Sequence, residues 1–573
     1  MNYSSDKTTL ILLSLLKAHG IRYVIASPGT TNLALVGSMQ SDSFFKMFSA
    51  PDERSAAYMA CGLSAESGEP VILSCTEATA SRNYLPALTE AYYRKLPILV
   101  ITGHHGESKI GHLIPQTIDR RSFPNDVIKL SASLTKTNNS DEEWANVVSI
   151  NKAILELDHH GKGPVHINLI TAHRASFNIK ELPSVRKIIR FTSPSAMPDI
   201  PNGRIGIFIG SHTQFSHEES FLIDKFCEQN DAVAFCDNTS GYKGKYCVNH
   251  SLVACQEKYV SDLLAMDLLI HFGEISGDTY VTGKLRPKSV WRVNPDGEIR
   301  DTFKKLTCIF EMEVSDFLNS YIRNGVPSKT NYYDLCIQEY NNVYSHIPEL
   351  EFSNIWIAKK LSSLIPPKSI IHFGIYHSLR SWNFFKLPNT VVSTCNVGGF
   401  GIDGSISTLL GSSLANPHRI HYLVLGDLAF FYDMNSIGNR HVQNNIRILL
   451  MNNGRGIEFR KLDHPASKLG EKADDYVAAA GHYGKSSEVL VKHYAEDLGF
   501  MYLKASGKDE FIDNMKVFVS ENMMEKPIVF EVFLQTDSEI NAAQIMRNLV
   551  AEPMSMIKKR IKVIGAELHQ FLK

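Results

Sequence analysis

The sequence predicts an α/β protein built of three successive parallel-sheet α/β sandwich domains. Three observations lead there. Short apolar runs bounded by Pro or Gly alternate with helical stretches, the alternation restarts twice along the chain, and 573 residues are too many for a single core. Short buried strands alternating with helices belong to a parallel sheet covered on both faces.

The elements follow in order. Ser5 and Asp6 can cap a first helix with an apolar stripe at Leu10, Leu13 and Leu16, and Gly20 stops it. A β-rich run at 21–25 breaks at Ser27-Pro28-Gly29, and apolar runs at 70–74, 97–102 and 164–171 repeat the rhythm. A second block opens at 204–210, with strand candidates at 268–272 and 289–293. A third opens at 368–374 and continues through 422–425, 446–451 and 528–534. Stretches rich in Pro, Gly and polar residues near 193–203 and 325–331 mark the joints. The expected domains are therefore 1–190, 195–330 and 345–540, followed by a helical tail at 541–573. In the tail, Ile545, Leu549, Ile557, Ile561 and Leu568 form an amphipathic pattern with Lys558-Lys559-Arg560 on its polar face. It reads as packing on the third domain or on a neighbouring subunit, with membrane-surface binding as the alternative.

Composition narrows the function. The chain is 44% apolar and 21% charged, which excludes a disordered or collagen-like protein. Lys+Arg 59 against Asp+Glu 60 leaves a net charge of −1 and no basic surplus for nucleic acid. The nine cysteines are scattered with no CxxC pair, so neither a disulfide framework nor a zinc site is indicated. No apolar run reaches the ~18–20 residues that cross a bilayer. Ser14 interrupts the run at 10–16 and no small-residue cleavage site follows it, so it reads as the first helix of a cytoplasmic enzyme rather than a signal.

Ligands of such sheets sit outside the carboxyl ends of the strands. Leu425-Gly426-Asp427-Leu428 ends one strand, and after a helical stretch Met451-Asn452-Asn453-Gly454 ends another. Taken separately each reads as a turn. Together, one carboxylate and one amide at two strand ends suit a hard cation such as Mg²⁺, which takes oxygen ligands and keeps positions for phosphate and water. The layout would hold a diphosphate through a metal. No G-x-G-x-x-G directly follows one of these strand candidates with an acid ~20 residues on, so dinucleotide binding lacks its main support.

Gly-Asp followed, after one intervening helical stretch, by Asn-Asn resembles the cofactor motif of thiamine-diphosphate enzymes. The form Gly426-Asp427-Leu428 is similar to the menaquinone-pathway branch, the synthases of 2-succinyl-5-enolpyruvyl-6-hydroxy-3-cyclohexene-1-carboxylate. Ser27-Pro28-Gly29, Asp52-Glu53-Arg54-Ser55-Ala56-Ala57, Gln116, Trp291-Arg292-Val293-Asn294, Gly401-Ile402-Asp403-Gly404 and Tyr432-Asp433-Met434-Asn435 match in order, so the resemblance spans roughly residues 5–535. It implies pyrimidine-binding, central and diphosphate-binding domains, with thiamine diphosphate and Mg²⁺ as cofactors. The middle block is similar to the flavin-free branch, so FAD is not expected. A homodimer or homotetramer with active sites between chains is implied. The implied reaction is decarboxylation of a 2-oxo acid with transfer of the acyl group to an acceptor. A simple non-oxidative decarboxylase is the alternative. Intact Glu53, Asp427 and Asn453 speak against a catalytically silent assembly subunit.

By the same resemblance Glu53 would pair with the cofactor's aminopyrimidine from a dry cleft. Asp427, Asn453 and the Arg455 carbonyl would ligate Mg²⁺, with Gly426 and Leu428 beside the cofactor. Ile402 would prop its bent shape, Gln116 would face the reacting centre, and Arg380 matches an arginine that contacts a substrate carboxylate. The plain alternatives are a helix N-terminal Glu53, a core Ile402, a loop amide at Gln116 and a solvated Arg380.

The departures bear on the substrate. Thr31 and Val397 stand where the menaquinone branch has arginines, and Ile375-Tyr376 replaces an Asn-Ser pair. Each lost hydrogen bond to a charged group is worth roughly 1.5–3 kcal/mol. Losing two weakens binding of a dicarboxylate donor or an isochorismate-like acceptor by about two to four decades. A divergent relative with another substrate is therefore expected. Glu77 stands where a small or hydroxyl residue is usual and would suit a neutral or cationic substrate, or else it faces outward from a loop. His104-His105 reads as a proton-transfer pair or as a structural one.

Overall fold

The computed structural model describes residues 1–171, 176–194, 197–322, 331–462, 464–482 and 487–550. The tail from 551 onward and most of the joint at 325–331 lie outside the described residues. The chain forms two compact units, Met1–Thr192 with Asp296–Glu311 and Ser193–Pro295 with Met312–Lys573.

In the first unit, Lys7–Ala18 is helical because Asp6 accepts a hydrogen bond from the Thr9 N–H at its start, and its apolar residues from Leu10 to Leu16 are buried. Gly20, at φ +76°, lets the chain reverse into the first strand. The strands of this unit's six-stranded sheet are Lys46–Ser49, Tyr23–Ala26, Val71–Cys75, Ile98–His104, Val165–Ile170 and Ser131–Ser133, in spatial order. Val71–Cys75 and Ile98–His104 are buried throughout, as strands with both faces covered must be.

The second unit holds a sheet of the same connectivity, ordered Val392–Cys395, Ile370–Phe373, His421–Gly426, Ile446–Asn452, Ile528–Phe533 and Met501–Ala505. In both sheets the first and third strands in sequence are neighbours, with the fourth beside the third. Glu77, just after the third strand of the first sheet, and Asp427, just after the third strand of the second, therefore hold equivalent topological positions. The second unit also contains parallel strands Cys247–Val248, Ala232–Cys236, Ile205–Ile209, Ala265–Phe272 and Arg286–Val293 in that order. Leu306–Phe310 pairs in parallel with Ile189–Phe191 within the first unit.

The central strands lie within a residue or two of their expected places, except that Ala265–Phe272 and Arg286–Val293 begin three residues earlier. The strands that the pattern does not reveal are mostly short edge strands. Val392–Cys395 and Met501–Ala505 are each paired on one side only and partly exposed, so neither presents a continuous apolar run. Ala232–Cys236 is wholly buried but follows the helix His217–Asn230 directly, with only Asp231, at φ +47°, to break the helical pattern. Among the described residues, no helix is long and apolar enough to cross a membrane.

Candidate active site

The carboxyl ends of Ile370–Phe373, His421–Gly426 and Ile446–Asn452 open into a cavity of about 590 Å³ within the second unit. Asp427 begins the helix Asp427–Asp433 beneath it and is 4% exposed. Its Oδ1 accepts from the Leu428 N–H at 2.8 Å and its Oδ2 from the Gly454 N–H at 2.5 Å. Gly454 adopts φ +74°, a left-handed turn that brings its N–H back onto the carboxylate. Burial pushes the Asp427 carboxyl up to about 6, against the opposing pull of those backbone N–H groups. Among the described residues no cationic side chain pairs with it.

Asn453 is also buried, and its Oδ1 accepts from the Arg455 N–H at 3.3 Å. The Arg455 guanidinium turns to Asp474, and Arg455 is among the residues that line the cavity. A buried carboxylate without a cationic partner, an amide oxygen and a carbonyl form an all-oxygen set that fits Mg²⁺. Gly426, Leu428 and Ile402 line the same cavity, and Ile402 packs against the cores on both sides of the sheet.

Two of the expected substrate residues are placed differently from a free binding surface. Arg380 lines the cavity, but its Nη1 is ion-paired to Glu458, which also takes the Lys461 ammonium at 2.9 Å. Burial raises the Glu458 carboxyl, but Lys461 and Arg380 outweigh it and hold the group at about 2. Val397 is 3% exposed and packs in the main core of this unit, away from the cavity lining, so it is a packing residue. Tyr376 does line the cavity, at φ +66° and ψ −120°, a conformation a bulky side chain rarely takes. Its ring meets Phe400 edge-on at 5.9 Å and lies 5.6 Å from the Arg380 guanidinium carbon.

The remaining candidates sit in the first unit. Asp52 caps the helix Glu53–Ser67, so Glu53 occupies its first turn. Glu53 is half-buried and its Oε2 accepts from Asn83 Nδ2 at 3.3 Å, so the dry surroundings expected for it are not supplied by this unit alone. Gln116 is exposed on a loop at φ +64°. Thr31 is buried, with its hydroxyl 2.8 Å from that of Thr76 and its carbonyl accepting from the Thr171 hydroxyl at 2.6 Å.

Glu77 is 3% exposed rather than outward-facing, and His105 Nε2 stands 3.7 Å from its Oε1. Burial raises its pKa, while Arg120 pulls it the other way. His104 is buried as well; its Nδ1 accepts from the Gly106 N–H at 3.0 Å, and burial lowers its pKa to about 4. Arg120, at 2% exposure, donates through Nη2 to the Gly103 carbonyl at 2.8 Å and to Asn168 Oδ1 at 3.0 Å.

Sequence reasoning did not single out Arg120, Glu458 or the buried pair His377–Glu539 at 2.6 Å. Each is an ordinary charged residue in its local pattern. A weak signal existed only for Glu458, which lies on the Gly-containing loop that carries Asn453 and Arg455.

A parallel sheet with this cavity and an all-oxygen donor set at its strand ends fits a thiamine-diphosphate enzyme, and residues 7–123 match the family described as "Thiamine pyrophosphate enzyme, N-terminal TPP binding domain". Proteins named 2-succinyl-5-enolpyruvyl-6-hydroxy-3-cyclohexene-1-carboxylate synthase are similar over nearly the whole chain. That of Bacteroides thetaiotaomicron is 31% identical, covering 93% of this chain and 96% of its own. That of Phocaeicola vulgatus is 32% identical over 94% and 97%, and that of Flavobacterium johnsoniae 26% identical over 94% and 98%. The chain belongs to this synthase family of thiamine-diphosphate-dependent enzymes. It is an enzyme of the decarboxylase and carboligase type that acts on a 2-oxo acid.

Proposed function

We propose that this chain, loaded with thiamine diphosphate and Mg²⁺, decarboxylates a 2-oxo acid with a neutral or cationic side chain and transfers the acyl group to an acceptor. The observation that carries the substrate class is the Arg380–Glu458 ion pair, which occupies the guanidinium that an anionic donor would need. Thr31 adds no cation in place of a missing arginine, the Val397 side chain lies in the core away from the cavity, and buried Glu77 would disfavour a second negative charge beside it.

Asp427, Asn453 and the Arg455 carbonyl would hold Mg²⁺ and, through it, the diphosphate. Ile402 would support the cofactor's bent shape, with Gly426 and Leu428 lining the same cavity. Glu53 would hold a proton at the aminopyrimidine, and Gln116 would orient the substrate. When bound, the cofactor supplies the electron sink that accepts the electron pair left as CO₂ departs. The reading places the Glu53 face of one chain opposite the Asp427 cavity of a second, in a homodimer or homotetramer of three-domain chains. All nine cysteines are free thiols, which supports a reducing, cytoplasmic setting.

The test is CO₂ release by purified protein with thiamine diphosphate and Mg²⁺, screened over 2-oxoglutarate, pyruvate and aromatic or cationic 2-oxo acids. Glu53→Gln is the control. Release from a neutral or cationic acid that disappears in the control supports the reading. Release from 2-oxoglutarate alone overturns the substrate class, and absence of thiamine-diphosphate binding overturns the whole. Sustained turnover without any acceptor would instead identify a simple decarboxylase.

A further inference from the structure

Within the first unit, His159, His160 and Glu311 bring one ligand atom each to within 4.8 Å of one another. From this cluster we infer a binding site for a divalent transition metal, of the Zn²⁺ class, separate from the cavity at Asp427. His159 Nε2 lies 3.0 Å from Glu311 Oε2, and His160 Nε2 lies 2.5 Å from Oε1 of the same carboxylate. Two imidazoles and one carboxylate are the donor set of many three-ligand zinc and iron sites, which keep a position open.

The surroundings are built for it. Behind the first imidazole, His159 Nδ1 meets Glu156 Oε2 at 2.9 Å, the carboxylate–histidine arrangement that orients a metal-bound ring. With Nδ1 directed to Glu156, the Nε2 of His159 faces Glu311 and can offer its lone pair to a cation held between them. Lys129 ties the loop down by donating its ammonium to the carbonyls of Glu156, His159 and Gly161. His160 sits at φ +49°, and its ring lies 3.9 Å from that of His159. Across the site, Gly297 at φ +60° leaves the space that the Glu311 carboxylate fills, where any Cβ would collide with it. Arg190 Nε, 3.7 Å from Glu311 Oε2, steadies that carboxylate from the far side.

His159 and Glu311 are about one-tenth exposed, whereas His160 is open to solvent and can swing onto an arriving ion. The cluster edges a cavity of about 490 Å³ that would admit the ion and a water at the open position. A bound metal would join the loop after the helix Ser140–Glu156 to the end of the strand Leu306–Phe310.

Untagged full-length protein, first saturated with thiamine diphosphate and Mg²⁺, is titrated with Zn²⁺ by calorimetry. The expected result is one high-affinity equivalent per chain. The site should weaken by about tenfold or more in His160→Ala, at an exposed position, and also in Glu156→Gln, which removes the carboxylate behind His159 together with its 3.6 Å ion pair to Lys129 but leaves the three Lys129 bonds to backbone carbonyls. Co²⁺ in place of Zn²⁺ should give a visible absorption band that His160→Ala loses. No saturable Zn²⁺ binding, or binding of equal strength in both variants, overturns the site.

Discussion

Arg380 and Glu458 form an ion pair inside the cavity, and the same guanidinium lies over the ring of Tyr376. The pair binds the helix His377–Trp382 to the loop that follows the strand Ile446–Asn452, and it neutralises a cation that lines the cavity. In the proposed function, substrate charge would be read through Glu458 as much as through Arg380.

Removing that carboxylate should release the guanidinium. In Glu458→Gln, the ratio of kcat/KM for 2-oxoglutarate to that for pyruvate should rise by about tenfold or more, since one hydrogen bond to a charged group is worth roughly 1.5–3 kcal/mol. The ratio is the readout because it cancels any general loss of active protein. An unchanged ratio would mean that Arg380 does not meet the donor.

The same pair predicts an acid limit. Glu458 has its carboxyl depressed from 4.5 to about 2 in the folded protein, so the unfolded chain binds its proton more tightly. The stabilisation is fully present above about 4.5 and is lost as pH falls toward about 2. Urea unfolding of the native protein and of Glu458→Gln should differ by a constant amount at neutral pH, with the gap closing through that window. A gap that widens on acidification would contradict the assignment.

Asp427 is buried with its carboxyl pushed up to about 6, and in the proposed function it holds the metal. Asp427→Asn should leave the cofactor-free protein melting within about 4 °C of the native one, because a costly buried charge is exchanged for an amide that still accepts a backbone hydrogen bond. Thiamine-diphosphate binding in the presence of Mg²⁺, followed by calorimetry, should weaken by about two decades or more. Retained cofactor affinity would remove Asp427 from the metal set.

Ala78 adopts φ +53° and ψ −126° just before the helix Thr79–Arg82, where a Cβ is strained and glycine is not. Ala78→Gly should relieve about 1–3 kcal/mol of strain and give back about 0.4–1 kcal/mol through the freer unfolded chain. The net expectation is a stabilisation of about 1 kcal/mol, measured as a higher urea midpoint with an unchanged slope. A lower midpoint would show that the Ala78 methyl contributes packing that offsets its strain.

How much was readable from the chain differs between elements. The strands ending at Gly426 and Asn452 announce themselves as continuous apolar runs closed by Gly-Asp and Asn-Asn, so the metal candidates Asp427 and Asn453 follow from local pattern alone. Edge strands such as Val392–Cys395 do not, because partial exposure erases the apolar run. Glu77 was ambiguous for a related reason: a lone acid after a strand looks the same in sequence whether it faces solvent or is 3% exposed.

The alternation of strands and helices, the caps and the strand-end motifs were determined by the sequence itself, since each depends on residues a few positions apart. Tertiary structure alone decided which charges neutralise one another. Glu458 reaches Arg380 across 78 positions, and Glu311 reaches His160 across 151. Such pairings form only when parallel strands and their loops are brought side by side, and the energy of a buried charge depends on the partner it then meets.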